Sequence, residues 1–276
     1  MMTGIDYRFS SITTSKEYSM GVKSNLTLQE AQRLFSKYSL ETLTPTINGV
    51  VDTTYSTKNY ILKKYERSIE QQIQEDSMRL EKLHTLGFNV PKLLSHSKTW
   101  YLYTKLKGVS PKAISYYHIQ ALARFMARLH QQTLPSQVKF IESYEIEKRL
   151  NALKRNSFFY YKKLLPLKDF QEQCDGFIHG DIFKDNTLFE KEKIAVFDFI
   201  DGGLGSFAFD IAVALLSFNP KNKSSLNRLF ITTYNHNTLK KISLETLKRH
   251  HKIASYFYAL LRINNKQSIT QVKELL

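Results

Sequence analysis

Asp181 and Asn186 stand five positions apart in the segment FIHGDIFKDN, and a third oxygen donor, Asp198, follows twelve positions later in AVFDFI. In a D-x-x-x-x-N spacing the aspartate can accept the proton of an attacking hydroxyl. The asparagine amide and the later carboxylate can hold a magnesium ion. Such a trio suits phosphoryl transfer from ATP, a reaction governed by positioning and by neutralising the charge of a triphosphate. His179 reads as a scaffold that steadies the loop through hydrogen bonds, and Asp185 as a cap or brace pointing away from the metal.

This chemistry needs a lysine from a neighbouring strand to meet the phosphates. NYILKKYE offers two, and period-two alternation puts Ile61, Lys63 and Tyr65 on one face and Leu62, Lys64 and Glu66 on the other. Only one lysine can face a cleft, and Lys63 is the choice. Its helical partner is sought at Glu75 or Asp76, with Glu81 further along. The turn around Gly49, in NGVVDTTY, would lie over the phosphates.

The elements that must carry these residues are visible in the pattern. LTLQEAQRLFSKY has helical spacing, with Thr27 and Glu30 forming a capping box. A β-hairpin follows in TPTINGVVDTTYSTKNYILKKYE, turning at STKN. A helix spans Ser68 to Gly87, the glycine serving as its C-cap, and NVPKLLSHSKTWYLYTKLKG makes two more strands. Beyond Gly108 the chain is mainly helical, interrupted by strands at DNTLFEK and KIAVFDF. Helices are expected at SYYHIQALARFMARLHQQ, FDIAVALLSF, SSLNRLFITTYNH and SLETLKRHHKIASYFYALLRI, and SYEIEKRLNALKRNSFFYYKKLLPLKDFQEQ reads as helical near an acceptor site. The fold class is therefore α+β and bilobal: a mobile leader at 1–19, a small β-rich lobe at 20–105 and a larger helical lobe at 106–276.

With 276 residues, 42% of them hydrophobic, the chain can bury one large core or two modest ones. It has neither a long apolar run nor a secretory leader, and its single cysteine, Cys174, can form no internal disulfide, so an intracellular, cytoplasmic protein without a membrane partner is expected. Cys174 reads as a small half-buried side chain. The formal charge of +15 invites an anionic partner, but the lysines are scattered and no nucleic-acid-binding signature accompanies them. They read as a solvated surface, and no nucleic acid is expected.

Taken together, HGDIFKDN, VFDF and FDIAVAL, with LARFMARLH upstream and LHTLGFNVP in the first lobe, resemble the aminoglycoside phosphotransferase and choline kinase superfamily, which has a protein-kinase-like fold. Within it the chain is most similar to homoserine kinases, through its MGVKSNLTLQEAQRLFSKY start, its NGVVDTTY and NYILKKYER stretches, and the Phe-Lys-Asp-Asn close of the loop. It departs from that group at Leu216, Ser217 and Phe218 and in a shorter first hairpin.

The resemblance implies transfer of the γ-phosphoryl group of ATP to a small hydroxyl acceptor, L-homoserine in that group, a step of threonine biosynthesis. It casts Asp181 as base, Asn186 and Asp198 as magnesium ligands, Lys63 as phosphate contact and Asp210 as a brace of the catalytic loop. The connector from Thr104 to Leu106 would offer backbone groups to adenine. Choline, methylthioribose, a sugar or an aminoglycoside are the alternative acceptors. A pseudokinase would have no need of all three oxygen donors.

Overall fold

The computed structural model describes residues 23–46, 52–66, 70–171, 173–264 and 272–276; Gly49 and the 1–19 leader lie outside the described residues. Helix α1 (Leu28–Leu34) opens on the Thr27/Glu30 capping box, the Glu30 N–H donating to Thr27 Oγ1 at 3.2 Å and the Thr27 N–H to Glu30 Oε2 at 2.8 Å. Strands β1 (Thr44–Pro45), β2 (Thr53–Ser56), β3 (Tyr60–Lys64), β4 (Leu93–Ser97) and β5 (Trp100–Thr104) form one antiparallel sheet in the order β1-β2-β3-β5-β4. Helix α2 (Glu70–Thr85) lies between β3 and β4 in the chain. It ends at Gly87, whose φ of +75° suits a residue without a Cβ.

Alternation along the central strands divides the apolar residues between two cores. Leu62, Trp100 and Leu102 pack with Ala31, Phe35, Leu40 and Tyr55 beneath α1, while Ile61, Tyr101 and Tyr103 join the main core. Leu80 and Leu83 of α2 also belong to that main core, so α2 is packed with the helical lobe.

The second lobe comprises α3 (Tyr116–Leu129), α4 (Ile146–Asn156), α5 (Phe158–Leu164), α6 (Phe207–Phe218), α7 (Ser224–His236) and α8 (Leu244–Asn264). Helix α6 is apolar almost all round and accordingly buried, a central element flanked by α8. Two small antiparallel pairs sit among the helices: β6 (Gly176–Ile178) with β9 (Gly203–Gly205), and β7 (Thr187–Glu190) with β8 (Lys193–Val196). No helix of the described residues is long and apolar enough to cross a membrane.

The long segment after Ser143 is helical as expected, in two pieces, because Ser157 adopts an extended conformation (φ −157°, ψ 92°) and separates α4 from α5. Two points differ from the sequence reading. β1, β6 and β9 were not expected: each has two or three residues, too few for alternation to register. Cys174 is exposed rather than half-buried, in the loop before β6.

Candidate active site

β6 delivers the chain to the loop His179–Asn186, whose start is held by Asp210, with His130 behind it. Asp210, in the first turn of α6, is fully buried; its Oδ1 accepts the Gly180 N–H at 2.7 Å and its Oδ2 the His179 N–H at 3.2 Å. His130, from the end of α3, reaches the same Oδ2 through Nε2 at 3.0 Å, stacks on Phe207 and contacts the Tyr234 hydroxyl at 2.8 Å. At Gly180 the φ is +75°, and a Cβ would stand 2.0 Å from the Phe140 ring. Only glycine fits there.

The His179 ring is fully buried, with Nε2 on the Phe197 carbonyl at 3.1 Å and Nδ1 accepting the Asp181 N–H at 3.2 Å. Burial holds its pKa below the ordinary value, so the ring is a neutral spacer between β8 and the loop. The ring thus ties the Phe197 carbonyl to the Asp181 N–H.

Asp181 is held on both oxygens. The Asn186 amide donates to Oδ2 at 2.9 Å and to the Asp181 carbonyl at 2.9 Å, and the Tyr258 hydroxyl of α8 lies 3.0 Å from Oδ1 while also contacting the Gly180 carbonyl. Burial, against the Tyr258 bond but reinforced by the charges of Asp198, Asp185 and Asp201, pushes the Asp181 carboxyl up to about 8. With its NH2 committed to Asp181, Asn186 has its Oδ1 left as an acceptor. Asp198 follows β8 in the left-handed region at φ +70°, a conformation a non-glycine residue holds only when its surroundings impose it.

Asp185 is neither cap nor brace. It is exposed and makes no side-chain hydrogen bond among the described residues, because the tight Lys184–Asn186 turn faces solvent there, and it acts on Asp181 through charge alone.

From the first lobe, Lys63 reaches across to Asp198, with Nζ 2.7 Å from Oδ1, and lies 3.2 Å from Asp52 Oδ2. Burial opposes the ammonium, but Asp198 and Asp52 more than offset it and raise the pKa of Lys63. Lys64 turns the other way, to Glu66 at 3.4 Å and to Ser24. Of the two lysines, Lys63 is the one that faces Asp198.

Neither expected acidic partner from α2 is within ion-pair distance of Lys63, although Asp76 still acts on it through charge. Glu75 pairs with Arg79 at 3.0 Å; Asp76 is buried, 3.9 Å from Arg79, with Tyr65 near Oδ2 and no hydrogen-bond partner for Oδ1. Burial lifts the Asp76 carboxyl to about 7 despite Lys63 and Arg79. At the connector, the Thr104 N–H is consumed by the Lys92 carbonyl at 3.0 Å and the Lys105 N–H by Asn59 at 3.1 Å. Leu106 is the connector residue whose backbone groups make no hydrogen bond among the described residues.

Sequence reasoning missed Asp52, Tyr258, His130 and Arg79. Asp52 lay inside the quoted GVVDTTY, whereas Tyr258, in SYFYALL, reads as one more core aromatic.

Residues 46–242 match the profile of the phosphotransferase enzyme family. The chain belongs to that family. A homoserine kinase of Polaromonas naphthalenivorans (strain CJ2) is similar at 24% identity over 229 residues, covering 71% of this chain and 72% of that one. Among solved structures, an amicoumacin kinase in complex with AMP-PNP and Ca2+ superposes with a TM-score of 0.68 at 17% identity over 88% of this chain and 91% of that one. The streptomycin–ATP–APH(2")-IIa ternary complex gives 0.61 at 17% identity over 91% and 96%, and a choline/ethanolamine kinase family protein from Mesorhizobium loti 0.63 at 11% over 90% and 90%. These likenesses establish the protein-kinase-like bilobal fold of the family member described here.

Proposed function

We propose that the protein transfers the γ-phosphoryl group of ATP to the hydroxyl of a small acceptor, and that the acceptor is L-homoserine, on the way to threonine. The observation that carries the phosphotransfer reading is the 2.7 Å pair between Lys63 of the sheet lobe and Asp198 of the helical lobe, on the same loop system as Asp181. It supports the reading by putting a cation of the sheet lobe beside the acidic loop.

Asp198 and the Asn186 Oδ1 would hold Mg2+. Among the described residues no three His, Cys, Asp or Glu side chains form a closed cation site. That fits a hard ion bound by one carboxylate, one amide and the oxygens of its own nucleotide. When bound, Mg2+ supplies charge neutralisation to the triphosphate. The mutual repulsion that raises the Asp181 pKa is of the sign a dication would relieve.

Asp181 then takes the acceptor's proton as the hydroxyl oxygen forms its bond to the γ-phosphorus, while the bond from that phosphorus to the β-bridging oxygen breaks and ADP leaves. Tyr258 and Asn186 keep the carboxylate in one orientation for that transfer. Lys63 meets the phosphates, and the free N–H and C=O of Leu106 offer an edge to adenine. In this reading residues 20–105 serve the nucleotide and 106–276 the acceptor, and the protein works in the cytoplasm.

Homoserine is favoured by the Polaromonas relative. The departure at Ser217 concerns loop support, since its Oγ accepts the Lys184 N–H at 3.0 Å. The test is ADP release from ATP and Mg2+ with homoserine, choline, methylthioribose and an aminoglycoside, and Asp181→Asn as control. Homoserine-dependent release lost in the variant is the expected result. Stimulation by another acceptor would replace the substrate and keep the mechanism.

A further inference from the structure

Lys63 has two counter-ions, and they are not equivalent. Its side chain is 15% exposed, Asp52 8% and Asp198 38%. Asp52 is fixed at both oxygens, Oδ2 by Lys63 at 3.2 Å and Oδ1 by the Glu66 N–H at 3.1 Å. Glu66 is itself anchored by the Thr53 hydroxyl at 2.7 Å and the Ser24 hydroxyl at 2.8 Å. Asp52 thus sits in a built network on the β2–β3 ladder, where Thr54 pairs with Lys63.

Building on the phosphotransfer reading, we propose that Asp52 is the positioning residue of Lys63: the standing counter-ion that keeps its ammonium aimed at the nucleotide phosphates, in place of an acid from α2. Asp198 is the more exposed of the two and is also a donor for the cation, so it cannot hold the lysine's direction once that carboxylate is engaged. Asp52, held by the sheet, stays. Neither α2 acid is within ion-pair distance: Glu75 is spent on Arg79, which also binds the Pro135 and Phe199 carbonyls, and Asp76 is buried beside the same arginine. Asp76 acts on the lysine through charge alone, so the direct ion pair from the first lobe comes from the lysine's own sheet.

Asp52→Asn is the discriminating variant, because an amide oxygen still accepts the Glu66 N–H while the charge is lost. In the full-length protein with EDTA, a double-mutant cycle of Asp52→Asn and Lys63→Met is read by urea unfolding. The two should be coupled by about tenfold in the unfolding equilibrium constant. With ATP and Mg2+, Asp52→Asn should raise the nucleotide KM and lower kcat by about tenfold, leaving the acceptor KM within about twofold, an effect confined to phosphate positioning. Absence of coupling overturns the proposal. So does coupling with unchanged nucleotide kinetics, which makes the pair structural only, or a larger loss in Glu75→Gln or Asp76→Asn than in Asp52→Asn. Failure of the wild-type protein itself to bind ATP and Mg2+ by calorimetry overturns both this role and the phosphotransfer reading, and is recognised because no variant is then involved.

Discussion

Replacing Asp181 by asparagine should abolish turnover and stabilise the nucleotide-free protein, more so as pH rises. The native carboxyl titrates at about 8 against a reference of 3.8. Between those values the native state binds more protons than the unfolded chain, so the group's contribution to stability falls as pH increases, by up to about 1.4 kcal/mol per unit. The ionisation penalty is thus about 2 kcal/mol at pH 5 and about 5 kcal/mol at pH 8. Asparagine removes it but presents an NH2 to a site where Tyr258 and Asn186 both approach the carboxylate, at 3.0 and 2.9 Å, which costs about 1–2 kcal/mol. The difference is near zero at pH 5 and about 3–4 kcal/mol in favour of the variant at pH 8. Asp76, lifted to about 7, titrates in the same direction in both proteins and cancels. Urea unfolding in EDTA at pH 5, 6.5 and 8 reads the difference, while kcat should fall by about 10²–10⁴. A stability difference that does not change with pH, or a variant weaker than wild type at pH 8, would refute the reasoning.

Tyr258→Phe removes the hydroxyl that lowers the Asp181 pKa, so the rising limb of the kcat/KM profile should move to higher pH by about one unit and activity recover under alkaline conditions; a profile that falls uniformly, without moving, would assign Tyr258 to packing alone. Gly180→Ala forces a Cβ to within 2.0 Å of Phe140 at a φ of +75° and should lower stability by about 3 kcal/mol or more, measured by thermal unfolding. Asp210→Asn sets an amide NH2 against either the Gly180 N–H, at Oδ1, or the His179 N–H and His130 Nε2, at Oδ2. A loss of about 2–4 kcal/mol is expected, with turnover falling in parallel, and an active variant of native stability would show that the loop holds without this brace.

What could be read without coordinates was local. The D-x-x-x-x-N spacing and the Thr27/Glu30 box each depend on a few consecutive residues, whose geometry the backbone itself sets. Alternation separated Lys63 from Lys64 for the same reason: neighbours on a strand must face opposite ways. Tertiary structure decided what meets what. The pairing of Glu75 with Arg79, the burial of Asp76 and the arrival of Tyr258 at Asp181, 77 positions earlier, follow from where α2 and α8 pack. Glu75 and Asp76 are adjacent on one helix, and no sequence period says which points at a strand whose distance from that helix is set by the main core. The sequence alone determined which residue types stand at the spacing that phosphoryl transfer asks for; packing determined which carboxylates lie beside Lys63, and how reluctantly Asp181 ionises.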